Sequence, residues 1–216
     1  MLEEMGAFFD ARLDGYEAHM LTNIASAREF YPFTASCLPR REHTTLLDLG
    51  CGTGLELKFY FPLCPTAEVT GIDLAPGMLR ALREACPDKL LNLIPGSYFE
   101  VPFGENCFDA AVSVESLHHF TKEEKIPLYR RLHAALKADG FFILTDYFAA
   151  DEAEETSLRT AFLRLKQEQG ISDQDFYHFD TPLTTAHETE ALLAAGFSQV
   201  EILGSWGATH TLKAKK

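Results

Sequence analysis

The sequence predicts an α/β protein: a doubly wound, mostly parallel sheet with an antiparallel C-terminal strand, plus a helical cap and lid. Three observations carry that expectation. An apolar strand, Leu46-Leu47-Asp48-Leu49, runs directly into Gly50-Cys51-Gly52-Thr53-Gly54, with glycine at every second position. Nineteen residues beyond Gly54, a second apolar run, Val69-Thr70-Gly71-Ile72-Asp73, ends in a carboxylate, the spacing of one strand-helix-strand unit. Strand and helix patterns then alternate to residue 146, and such alternation folds into a parallel sheet covered by helices.

The elements follow in order. Residues 8 to 27 set Leu13, Tyr16, Met20 and Ile24 at three- and four-residue steps, one apolar face of a helix, and Pro32 and Pro39 are expected to end this N-terminal cap, residues 1–43. The core, residues 44–216, is expected to run as strand 44–49, helix 53–61, strand 67–73, helix 76–86, strands 90–94 and 107–114, helix 122–137 and strand 141–146. Pro76 suits a first helical turn, Thr121 with Glu124 reads as a capping box, and Asp139-Gly140 as a helix stop. Pro127 falls inside its helix and is expected to kink it or delay its start. From about 147 to 183 the alternation stops. An acidic segment leads into Leu158, Phe162 and Leu165 at helical spacing, an insertion placed after the fifth strand as a lid. Thr185 with Glu188 reads as a second capping box, opening a helix that Gly196 ends. Gln199–Leu203 and Thr209–Leu212 flank a loop short enough for an antiparallel hairpin.

Composition narrows the function classes. With 19 Lys and Arg against 32 Asp and Glu, a formal charge of −13 disfavours nucleic acid, whose binding rests on clustered cations. The five cysteines show no C-x-x-C pair and no metal-ligand spacing, so free thiols in a reducing compartment and no bound metal are expected. No apolar run approaches the ~20 residues of a membrane span, and the acidic start Met1-Leu2-Glu3-Glu4-Met5 is unlike a secretory leader; a cytoplasmic protein without a membrane partner is expected. Oligomeric state is left open.

Five ordered motifs resemble the class I S-adenosylmethionine-dependent methyltransferases. They are Asp48–Gly54, Gly71–Leu79, Phe108–Ser113 followed by Leu117-His118-His119-Phe120, Leu136–Phe141 and Ala191–Phe197. The resemblance covers most of residues 44 to 216 and implies a Rossmann-like fold, S-adenosylmethionine as cofactor and S-adenosylhomocysteine as product. It also implies that the loop Gly50-Cys51-Gly52-Thr53-Gly54 lies along the methionine and ribose portions. Asp48 would then support the ammonium group, Asp73 the ribose hydroxyls, Leu74 and Met78 the adenine faces, and Ser97 and Tyr98 its edge. Many relatives carry an acid where this chain has Ser97, so a weaker adenine contact is expected, with Glu100 as a substitute acceptor.

The candidates for chemistry sit after the fourth and fifth strands: Glu115, which the resemblance also places among the cofactor-binding residues, His118, His119, Asp146 and Tyr147. An imidazole titrating near neutrality can take a proton from an acceptor, and it can equally line a pocket or hold backbone. Tyr16, His119 and Tyr147 are candidates for the acceptor pocket. The device of amino-methylating relatives, Asn or Asp before Pro-Pro and an aromatic, is absent after the fourth strand, so the resemblance points to a small-molecule acceptor. Two other readings compete: a protein that binds the cofactor without transfer, and a nicotinamide-dependent oxidoreductase. The second wants G-x-G-x-x-G, whereas positions 50–55 read Gly-Cys-Gly-Thr-Gly-Leu.

Overall fold

The computed structural model describes residues 1–172 and 175–216. Seven strands form one sheet: β1 (Thr45–Leu49), β2 (Glu68–Asp73), β3 (Leu90–Pro95), β4 (Phe108–Val114), β5 (Leu136–Tyr147), β6 (Gln199–Trp206) and β7 (Thr209–Lys215), in the order β3-β2-β1-β4-β5-β7-β6. The first five strands in that order pair in parallel, and β7 runs against both its neighbours. The order reverses between β1 and β4, and an open sheet places its ligand crevice at that reversal, beyond the strands' carboxyl ends. All of β4 is buried, which is why its sequence reads as a continuous apolar and small-residue run.

Helices α4 (Leu55–Tyr60), α5 (Pro76–Ala85), α6 (Lys122–Ala135) and α8 (Thr185–Ala194) cover the sheet. The Thr121/Glu124 capping box is formed, with Thr121 Oγ1 accepting from the Glu124 N–H and Glu124 Oε2 from the Thr121 N–H. Pro127 neither delays nor divides α6, which buries Leu128, Tyr129 and Leu132 on the sheet. The helix stops two residues short of 137, and Asp139-Gly140 falls inside β5, where the register against β4 shifts between Phe108 and Ala110. The cap of α8 is Thr184, not Thr185. Its backbone N–H donates to Glu155, and Glu188 is occupied in a buried cluster with Lys125 and Tyr129 instead of a capping box. The C-terminal hairpin is longer than expected, since Gly204, Ser205 and Trp206 continue the pairing and the turn is Gly207-Ala208.

The single helix expected over 8–27 is three: α1 (Met5–Asp10), α2 (Tyr16–Asn23) and α3 (Ala27–Cys37). Gly15 and Ser26, both at left-handed φ, break it. Pro32 lies within α3 and does not end it; burial of Phe30, Tyr31, Thr34 and Ala35 outweighs one lost backbone bond. The segment after β5 contains α7 (Glu152–Gln169), whose N-cap Asp151 accepts from Glu154 N–H. Of the lid range 147–183, residues 173 and 174 lie outside the described residues.

The chain's start is stitched to this segment. Met5 N–H donates to the Phe176 carbonyl and His178 N–H to that of Glu3, each at 3.0 Å, while Leu2 N–H reaches Gln169 Oε1 at 2.9 Å. The Phe8 and His178 rings stack at 3.6 Å. These contacts hold α1 over the carboxyl ends of the strands. Among the described residues no helix is long and apolar enough to cross a membrane.

Candidate functional site

Two cavities lie above the strand ends. The first, of about 50 Å³, is lined by Gly50, Gly52, Asp73, Leu74, Met78, Tyr98, Glu115 and His119, and roofed by Met5, Phe9 and Tyr16. Asp73 organises its floor. One carboxylate oxygen accepts from Gly52 N–H and the other from Ala75 N–H, both at 2.8 Å, which ties the glycine loop to the end of β2. Gly50 has φ +74°, and a Cβ there would stand 2.1 Å from Ser116 Oγ, so the loop after β4 can close on it only because it is glycine. Gly52, at φ +49°, meets nothing within 4 Å, and its backbone is open to the cavity.

The other expected residues stand behind this surface. A Cβ on Gly54 would strike Leu82, so that glycine serves the packing of α5 on the sheet. Cys51 is buried against Gly71, and Ser97 accepts from the Phe99 N–H within its own loop. Asp48, Thr53 and a residue the sequence pattern did not single out, Glu56, are buried beneath the loop, and each keeps a side-chain oxygen without a partner: Oδ2, Oγ1 and Oε1 respectively. Glu56 sits in the first turn of α4, where the helix pattern alone reads as an ordinary acidic N-terminus.

The charge on this side is one-signed. Burial, then the neighbouring Glu56, pushes the Asp48 carboxyl well above its usual range, and burial raises Glu56 and Asp73 as well. Among the described residues no lysine or arginine pairs with any of the three, and none lines the cavity. Glu115, at the end of β4, is pushed up to about 7 by burial and by Asp146, and it holds a left-handed φ of +49° that side chains rarely adopt.

Across His119 the balance differs. His118 Nδ1 donates to Asp146 Oδ1 at 2.6 Å, and its Nε2 lies 3.4 Å from Asp180. Burial disfavours the charge on His118, but the two carboxylates outweigh it and hold the imidazole protonated, with its pKa up to about 10. Asp146 also accepts from Leu117 N–H, so His118 and Asp146 fix the turn Leu117–His119 and do not face the first cavity. Burial and the His118 charge push His119 down to about 4, leaving it neutral. Its Nδ1 lies 3.2 Å from the Phe179 carbonyl and 3.3 Å from Asp180, both acceptors, so that nitrogen carries the proton. Donor atoms of His118, His119 and Asp180 come within 4.8 Å of one another, a spacing a divalent ion could use, but His118 is held protonated between Asp146 and Asp180, and a protonated imidazole has no lone pair to offer a metal. Tyr147 packs edge-on to His118 at 6.1 Å between ring centroids, outside both cavities.

Comparison with known proteins agrees with this architecture. A family model described as a methyltransferase domain matches residues 47–144. A sterol 24-C-methyltransferase of Gibberella zeae is 27% identical over 157 residues, covering 70% of this chain and 39% of that protein. A carboxy-S-adenosyl-L-methionine synthase of Chromohalobacter salexigens is 30% identical over 168 residues, covering 71% and 61%. The chain thus spans less than two thirds of the length of either relative. Human N-acetylserotonin methyltransferase in complex with SAM shares the fold, with a TM-score of 0.63 at 18% identity over 88% of this chain and 52% of that one.

Proposed function

Because the chain belongs to the class I S-adenosylmethionine-dependent methyltransferases, we propose that it transfers a methyl group to a small-molecule acceptor held between the glycine loop and the segment after β5. The observation that carries this reading is the group of acids beneath and around Gly50 and Gly52 that no cation accompanies among the described residues. Buried oxygens of Asp48, Thr53 and Glu56 lack donors, and no cation stands near them among the described residues. Buried polar groups without partners are costly, so a ligand supplying N–H donors and positive charge is favoured there. A nicotinamide dinucleotide, whose pyrophosphate is anionic, would meet acids where it needs donors.

S-adenosylmethionine would supply an electrophilic methyl group on a positively charged sulfur. Asp73 would hold the ribose hydroxyls, exchanging its Gly52 and Ala75 contacts, with Leu74 and Met78 against the adenine and the buried acids toward the ammonium group. At about 50 Å³ the cavity falls below the roughly 300–1,000 Å³ of ligand pockets, so Met5, Phe9 and Tyr16 have to move aside. That requirement supports reading residues 1–43 as a cap. The chemistry asks mainly for alignment in a dry pocket. Where an acceptor proton has to leave, Glu115 fits better than either histidine: it lines the cavity with its pKa held up to about 7, near the working pH, whereas His118 already holds its proton and His119 binds one weakly.

Calorimetric titration with S-adenosylhomocysteine, with NADH in parallel, tests the proposal. Saturable binding of the thioether alone is expected; preference for NADH, or binding of neither, overturns it. Binding without turnover on any acceptor would favour a protein that holds the cofactor without transfer.

A further inference from the structure

The second cavity, about 280 Å³, opens on the far side of Met5 and His119, the two residues it shares with the first. It lies between α7, the start of α6 and residues 175–181. Its walls are aromatic and fixed: Phe162 stacks on Phe179 at 5.2 Å, and Phe176 on Phe99 at 5.5 Å.

Two polar groups face this space without adequate partners. Lys166 is 5% exposed; its Nζ donates to the Asp175 carbonyl at 3.1 Å and lies 5.3 Å from the Phe162 ring centroid, and among the described residues no carboxylate pairs with it. A buried ammonium held only by a neutral acceptor is under-compensated. Thr181 is 4% exposed and its hydroxyl has no partner among the described residues. The acids of the lining do not answer this need. Glu124 is engaged in the cap of α6, and Asp175 is solvent-exposed and offers Lys166 its backbone carbonyl. Arg159 stands at the rim, paired with Glu123 at 3.1 Å.

Building on the methyl-transfer reading, we propose that this cavity is the acceptor site and that it selects a small aromatic acid. The ring lies against Phe162 and Phe176, the carboxylate on Lys166, and a hydroxyl or amine within reach of Thr181 or turned past His119 toward the glycine loop. The size agrees, since 280 Å³ sits at the small end of ligand pockets, enough for one substituted ring. Charge selects the acid over its neutral counterpart, because a buried cation with no carboxylate partner among the described residues discriminates against a ligand that brings it none.

The test is calorimetry on the full chain saturated with S-adenosylhomocysteine, titrated with 4-hydroxybenzoate and 3,4-dihydroxybenzoate against phenol, catechol and tyramine. Saturable binding of the benzoates, at least tenfold tighter than the phenols and tyramine, is expected. Lys166→Met should remove that preference while leaving S-adenosylhomocysteine affinity within twofold, and Lys166→Arg should restore part of it. Thr181→Val, which keeps Lys166 in place, should weaken the benzoates severalfold and serves if Lys166→Met does not fold. Equal affinity for acids and neutral phenols, or a preference unchanged in Lys166→Met, overturns the assignment. Failure of every benzoate with S-adenosylhomocysteine still bound refutes the acceptor class alone; failure of S-adenosylhomocysteine itself refutes the cofactor reading.

Discussion

The loops after β1 and β2 and those after β4 and β5 meet over the same strand ends, yet they treat buried charge in opposite ways. On the first side Asp48 and Glu56 are buried and Asp73 is half-buried, none with a cation among the described residues, and partnerless oxygens remain under the glycine loop. On the second, the buried carboxylate of Asp146 is paired with a protonated His118, and the further negative charge belongs to Asp180, whose side chain is half exposed. A buried group that is left uncompensated costs stability and is kept where a ligand completes it; one that is compensated holds the backbone around it. The contrast separates a surface built to receive a ligand from one built to hold its shape.

The sharpest way to break this contrast is at Asp73, where one carboxylate joins β2 to the glycine loop. With hydrogen bonds to a charged group worth about 1.5–3 kcal/mol each, Asp73→Ala should cut S-adenosylhomocysteine affinity on the order of 100-fold or more, by calorimetry, with circular dichroism showing the fold retained. Unchanged affinity would move the ligand away from β2. On the other side the loss should fall on stability. His118→Leu leaves Asp146 buried without its partner and should cost about 3 kcal/mol in urea unfolding, with little change in cofactor affinity in the folded protein. If His118→Leu unfolds like the parent, the pair does not hold the turn Leu117–His119.

The two sides also differ in how far the sequence reveals them. Strand, glycine loop and Asp73 are legible because the requirement is local: backbone has to turn sharply and lie open, and the carboxylate has to end a strand one crossover later. Even so, Gly54 follows the pattern for another reason, close packing on Leu82. The partners of the second side are invisible in any window of sequence. Asp180 reaches His118 and His119 from about 60 residues away, and the strand-like contact of Glu4 with Tyr177 spans most of the chain. Glu56 and Lys166 look like ordinary helix-surface charges until burial is known. The capping box expected at Thr121 forms and the one expected at Thr185 does not, since Glu188 is drawn instead to Lys125 and Tyr129.

A finer test asks whether the uncompensated acids discharge a proton when a ligand arrives. Asp48 and Glu56 hold protons more tightly than free carboxyls do, and a cationic ammonium favours their ionised forms, so binding should release a proton. The sign follows: S-adenosylhomocysteine affinity should rise with pH while the free pair is still protonated and level off above it. Calorimetry in two buffers of different ionisation enthalpy reads the release directly. Glu56→Gln should abolish most of it and weaken binding about tenfold, roughly 1.4 kcal/mol. Proton uptake, or no pH dependence, would mean that these acids do not face the ligand's charge.

The smallest effect belongs to Glu115, which stands where the two sides meet. Its pKa is up to about 7 against 4.5 for an ordinary glutamate, so the folded chain keeps a proton that the unfolded chain gives up between those values. Stability therefore falls as pH rises from about 4.5 to 7, when the proton has to be lost inside the protein. Glu115→Gln removes that penalty and should be more stable, relative to the parent, at pH 8 than at pH 5, by at least about 1 kcal/mol once the part-exposure of Glu115 is allowed for, as read by thermal melting at the two values. If Glu115 is also the group that accepts the acceptor's proton, the parent's turnover should climb through pH 7 and the variant's should lose that limb while cofactor affinity stays close to the parent's. A variant with the stability gain and an unaltered pH–rate profile would assign Glu115 to the cavity wall and leave proton removal to solvent.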